Sequence, residues 1–194
     1  MGLFGLFGKK EPDNATIPAN ETEKWLIATY AMWSEAAEGN WRYIAGSTEK
    51  SKQEGASMRV MLRRDWDVSN KAALLDMVSF LTALYIEGTE CTEEDIRKGA
   101  WDLCRACQIL AMGYVGGYIE RQEMVDESVK VGRVMQKYYH SWKELYDSYF
   151  AGYAEWRMTN GGDAQKDVAA RESLCKKLLE MPDGPCTVAW NTPL

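Results

Sequence analysis

The stretch GAWDLCRACQILAMGYVGGYIERQE, residues Gly99–Glu123, decides how this chain folds. Together with Ile96, the residues Ala100, Leu103, Cys107, Leu110 and Ala111 fall within roughly 100° of one another on a helical wheel. The other side of the same helix is apolar as well, with Trp101, Ile109 and Met112 around Arg105. A helix that is apolar on two faces belongs between neighbours, so this one is expected at the centre of the fold. Gly113 is placed to end it in a left-handed cap, and Gly116 and Gly117 extend the turn.

Working outward, the same logic yields further helices and no strand, because no segment alternates apolar and polar residues for long. Asn20 with Glu23 forms a helix start, and the helix runs to about Glu38, burying Trp25, Ile27 or Ala28, Met32 and Trp33 before Gly39-Asn40 stops it. Ser47–Gly55 is charged and aperiodic and reads as a loop. Ser69 is expected to cap a helix with the stripe Leu74, Leu75, Val78, Leu81, Leu84 and Tyr85, ended by Gly88. Thr92 with Asp95 caps the central helix.

Beyond Ile119, apolar residues recur at every third or fourth position from Met124 to Trp156, as in one long helix. Ser141 with Glu144 is a capping box inside that pattern, so the segment is expected to break near His140. A last helix over Ala164–Glu180 buries Val168, Leu174, Leu178 and Leu179. The expectation is an all-α domain of six to seven helices over residues 20–194, not a simple up-down bundle, behind a flexible tail of residues 1–19.

Composition bounds the function. At 194 residues, 46% apolar and 27% charged, the chain is long enough for one real core. A net charge of −6 argues against nucleic-acid binding, which needs a clustered basic face; Arg59, Arg63 and Arg64 are the only short-range candidates. The five cysteines, an odd number, suit reduced thiols in a cytoplasm. The least charged interior run, Ala72–Ile86, is too short and too polar to span a bilayer. The start, MGLFGLFGKK, places its lysines after the apolar run, unlike a secretory signal, and supports at most weak membrane-surface contact through residues 1–10.

The chemical candidates are few. Cys104-x-x-Cys107 lies three turns into its helix, away from the positive end that activates a redox thiol, so inert structural thiols are expected. The glycines 113, 116 and 117 precede a helix, but Glu120, Glu123, Asp126 and Glu127 fill its first turns and repel a phosphate. The single histidine, His140, stands at a helix boundary. No metal-ligand set and no cofactor motif emerges. Asp102, Glu120 and Glu123 flank one turn and are acid–base candidates, although Asp102 and Arg105, at i and i+3, suit a plain ion pair.

Trp101-Asp102-Leu103 with Arg105, then Gly113-Tyr114, Gly117-Tyr118-Ile119 and Glu123, resemble the core signature of a bacterial family known as domain of unknown function 1266. Gln136, Ser141-Trp142-Lys143-Glu144, Gly152 and Trp156 resemble its second block, and Trp66-Asp67-Val68 its opening. The resemblance covers about residues 65–157, with a weaker echo at 185–190. It implies that Asp102, Arg105, Glu123, Ser141 and Trp142 act together, while the cysteine pair stands outside the pattern. The candidate cluster, ligand-binding or structural, is therefore Trp101, Asp102, Arg105, Tyr114, Tyr118, Glu123, Ser141, Trp142 and Trp156.

With Arg105 among Trp101, Ile109 and Met112, its stem is expected to be buried and a carboxylate to sit against it, Asp102 or the returning Glu123. The Ser141-Trp142 corner is expected to close a polar knot of three helices. The functional expectation is a cytoplasmic, non-catalytic module that binds a protein or a small ligand. The alternative is an enzyme that uses Asp102 or Glu123 as acid or base, with Arg105 holding an anionic substrate.

Overall fold

The computed structural model describes residues 14–86, 91–161 and 163–194. Among them are seven α-helices and no strand: α1 (Glu21–Ala36), α2 (Lys52–Trp66), α3 (Lys71–Ile86), α4 (Glu93–Gly116), α5 (Arg121–Tyr138), α6 (Trp142–Asn160) and α7 (Ala164–Glu180). None is long and apolar enough to cross a membrane. Residues 1–13, which hold most of the expected tail and its membrane-surface run, lie outside the described residues, as does Gly88.

α4 is the axis. From Gly99 to Gly116 every residue is buried except Trp101, Asp102 and Arg105. Helices α1, α2, α3, α5 and α6 all pack on α4, and α7 lies against α1 and α6. Its inner layer of Leu103, Ile109, Leu110 and Met112 is fully enclosed. Each such side chain contributes about 1.5–3 kcal/mol by leaving water.

Glycine sets how closely the neighbours approach. A Cβ on Gly152 of α6 would strike the Lys98 carbonyl and Trp101 of α4, so the approach of α6 to α4 depends on its absence.

The start of α1 follows the sequence with one shift. Asn20 Oδ1 accepts from the Glu23 N–H at 2.9 Å, but Glu23 reaches past Asn20 to the N–H of Ala19 at 2.7 Å. The box at Thr92 and Asp95 closes as expected, and α5 gives way to α6 at Tyr139–Ser141, with Ser141 Oγ accepting from the Glu144 N–H at 3.1 Å.

Four expectations need correction. α4 does not stop at Gly113; it continues to Gly116, and Gly117, at φ +79°, takes the left-handed position while Tyr118 N–H donates to Gly113 O at 2.8 Å. Gly113 instead makes room for Leu74 of α3. The cap of α3 is Asn70, not Ser69: its Oδ1 accepts from the Ala73 N–H at 3.0 Å. Leu84 is 44% exposed and outside the core. Finally, Ser47–Gly55 is not all loop, because Ser51 Oγ accepts from the Glu54 N–H and starts α2. Only Gly55, Met58 and Leu62 of α2 are buried. Such a narrow stripe is hard to see in a polar helix.

The chain before α1 is held from Ala15 onward. Ala15 O accepts from Tyr114 Oη at 2.7 Å and from Arg121, and Ile17 O accepts from Arg121 Nη2 at 2.6 Å.

Candidate functional site

The residues expected to act together are distributed over four places. Trp101, Asp102 and Arg105 share the outward stripe of α4, and Trp101 meets Trp156 of α6. Arg105 pairs with Asp102 and donates from Nε to the Trp101 carbonyl at 3.2 Å. Its guanidinium lies 4.2 Å from the ring centroid of Trp101 and 5.2 Å from that of Trp66, the last residue of α2. A planar delocalised cation is suited to lie between two indoles.

Trp101 also meets three rings of α6, tilted or edge-on. Its ring centroid is 5.0 Å from Tyr149, 5.1 Å from Tyr153 and 5.7 Å from Trp156, all on α6. Arg171 of α7 lies 4.6 Å from the Tyr153 ring and donates to Tyr149 Oη at 3.2 Å. The result is a continuous ladder of rings and guanidinium groups across α2, α4, α6 and α7. The indole N–H of Trp101 is buried with no acceptor among the described residues.

Over this ladder opens a cleft of about 410 Å³ between α3, α4 and α6. Leu84, Tyr85, Trp101 and Trp156 supply its apolar surface; Asp95, Asp102, Glu155, Lys98 and Arg105 supply charge. The charges answer one another. Lys98 bridges Glu94, at 2.8 Å, and Glu155, and Asp95 is engaged in the Thr92 capping box. Hydrogen bonds from Arg97 and Lys98 take Glu94 down to about 2, and those from Thr92 lower Asp95.

Glu123 does not reach this cleft. It pairs with Lys71 of α3 and closes a capping box with Glu120, and both contacts hold its carboxyl below the ordinary range. Tyr114 binds the segment before α1 through Ala15, and half-buried Tyr118 packs in the turn after α4. Ser141 and Trp142 belong to a separate aromatic cluster. Trp142, Trp25 and Trp190 have ring centroids 4.9–5.2 Å apart, and their indole N–H groups donate to the carbonyls of Val188, Trp190 and Tyr139. Gln136 Nε2 adds bonds to the carbonyls of Trp190 and Thr192 at 2.7 and 2.9 Å. This cluster clamps the C-terminal segment onto α1, α5 and α6.

The expected three-helix knot around Arg105 is thus replaced by another. Arg121, the first residue of α5, pairs with the buried Glu23 of α1, Nε–Oε1 being 3.0 Å and Nη2–Oε2 2.5 Å. Nη1 and Nη2 also donate to the carbonyls of Ala15 and Ile17. One signal for it was present in the sequence: a cation at the first position of a helix opposes the dipole and needs a carboxylate elsewhere.

Cys104 and Cys107 are both buried on α4, and burial raises both thiols, Cys107 to about 12. Neither is poised as a thiolate. Among the described residues no three His, Cys, Asp or Glu side chains are grouped to hold a metal ion. His140 is exposed and bound to Glu144, at 2.8 Å from its N–H and 3.1 Å from Nδ1.

No curated protein and no solved structure matches the chain. One family does, over residues 29–192, which takes in the second half of α1, the loop after it and α2 up to Arg64, all outside the stretch of residues 65–157 that the motifs had marked. With most of its length matched, the chain belongs to the family described as Protein of unknown function (DUF1266).

Proposed function

We propose that the chain is a non-catalytic binding module whose cleft over Trp101, Arg105 and Trp156 takes an extended peptide segment with an apolar or aromatic anchor. The observation that carries this reading is the placement of exposed apolar side chains. Of the seven large hydrophobic residues more than a third exposed among the described residues, Phe80, Leu84, Ile86, Trp156 and Met158 lie on α3 and α6, the two helices flanking the cleft. Phe80 and Leu84, four residues apart, share one face of α3. Aromatic walls with paired charges around them are the composition of a recognition surface.

The titration pattern supports binding over acid–base catalysis. General acids and bases are tuned toward neutral pH. Here the shifted carboxyls, Glu94, Asp95, Glu123 and Glu144, all move down, and the shifted thiols all move up.

Selection of displayed random peptides against the purified protein tests the proposal. The expected outcome is an enriched motif with an aromatic or branched aliphatic anchor. Its affinity, read by fluorescence anisotropy, should fall about tenfold or more in Trp156→Ala or Leu84→Asp, with melting curves preserved. Absence of a motif, or peptides indifferent to both substitutions, would sink the proposal.

A further inference from the structure

A second cleft, of about 390 Å³, opens where the end of α1 meets the turn at Ile44–Gly46 and the start of α2. Its lining combines Met58, Met61 and the half-buried Trp33 with Glu38 and Glu54. None of its lining residues is Lys, Arg or His. Two cations near the cleft in sequence are engaged elsewhere. Arg42 pairs with Asp183 at 2.8 Å, and Lys50 Nζ lies 3.8 Å from the centre of the Tyr114 ring. Glu54 accepts a hydrogen bond from Ser47 Oγ at 3.1 Å. Among the described residues, neither carboxylate has a cation at ion-pair distance.

The backbone of this cleft is also unusual. Glu38 (φ +60°) and Ala45 (φ +56°) are two of the three non-glycine residues in the left-handed region among the described residues, and both line it. They are held there by the Gly39 N–H on Ser34 O at 2.8 Å and the Asn40 N–H on Gly46 O at 2.9 Å. The second of these bonds ties the chain just after α1 to the turn at Ile44–Gly46.

We infer that this cleft binds an aliphatic ammonium compound, with its alkyl chain on Met58, Met61 and Trp33 and its cation facing Glu38 and Glu54. The two carboxylates favour a cation and repel an anion. An indole wall adds attraction for the same charge, and methionine adapts to an unbranched chain. The chain's net charge of −6 raises the local concentration of any amine. The site shares no residue with the cleft over Trp101 and stands or falls independently of it.

Titration calorimetry at low salt with 1,5-diaminopentane, against pentanoate and 1-pentanol as controls, tests the assignment. Saturable heat with the diamine, none with pentanoate, and shifts of the Met58 and Met61 methyl resonances are expected. Glu38→Gln is the safe variant, because its exposed side chain makes no hydrogen bond among the described residues. It should keep the parent melting curve and weaken the diamine about tenfold. Glu54→Gln should weaken it likewise. The inference is overturned by the absence of saturable heat in the parent, by equal binding of pentanoate, or by unchanged diamine affinity in Glu38→Gln. Methyl shifts confined to other parts of the chain would overturn it too.

Discussion

Two arginines, Arg121 and Arg105, each sit against a carboxylate in this fold, yet they do different work. Arg121 closes on Glu23, whose side chain is 6% exposed and which lies 98 residues away on another helix. Arg105 pairs with Asp102, three residues away on its own helix and 35% exposed. The first pair fixes how α1, α5 and the segment before α1 meet. The second fixes nothing between helices by charge; its long-range partner is the ring of Trp66. A buried charge is structural when its partner comes from a distant element, because losing either one strands the other away from water.

The largest effect should therefore come from Arg121→Ala, which leaves the Glu23 carboxylate buried without its cation. A loss of about 3–5 kcal/mol in chemical denaturation is expected. A loss below about 1 kcal/mol would show that Glu23 re-solvates, and the two arginines would no longer differ.

Arg105→Ala should cost about 1–2 kcal/mol, the sum of two partly exposed cation–π contacts, since Asp102 keeps access to water. This replaces the larger penalty that a sealed three-helix knot around Arg105 would carry. A measured loss as large as that of Arg121→Ala would restore the knot. Arg105→Lys sharpens the point. Lysine keeps the charge beside Asp102 but loses the planar stack between Trp66 and Trp101, so about 0.5–1 kcal/mol should go. If lysine restores full stability, the ion pair rather than the stacking carries the contribution.

The smallest effect belongs to the exposed pair of Lys71 and Glu123. Its folded carboxyl lies below the ordinary 4.5, first because of the Lys71 hydrogen bond. The pair's contribution is therefore present above that ordinary value and lost as pH falls through the lower folded value. Lys71→Ala should be slightly less stable than the parent near neutral pH and indistinguishable from it in acid, with the Glu123 carboxyl carbon titrating closer to 4.5 by NMR. An unmoved titration would show that the bond from the Glu120 N–H holds the carboxyl down alone.

The sequence was most legible where the signal is local. The capping box at Thr92 and the N-cap at Ser141, whose Glu144 reaches past it to the His140 N–H, marked helix starts, and the two-faced apolar pattern of residues 96–112 placed α4 at the centre. α2 escaped because three buried positions in a polar helix give little periodic signal. Within the candidate cluster, Trp101, Asp102 and Arg105 stayed together because they share one helix stripe. Glu123, Tyr114 and Trp142 parted because each found a partner on a different element.

Sequence alone determined the helical class, the central helix and the break near His140, since all of these follow from periodicity and short-range hydrogen bonding, and it left Asp102 and Glu123 as the two candidate partners of Arg105. Tertiary structure alone decided that Glu23 meets Arg121, that Glu123 turns to Lys71, and that Glu38 and Glu54 share a cleft without a lysine or arginine in its walls. Those pairings join residues whose separation along the chain carries no period. They are set by the closest packing of helices around α4, at points such as Gly152 where a single methyl group would push two elements apart.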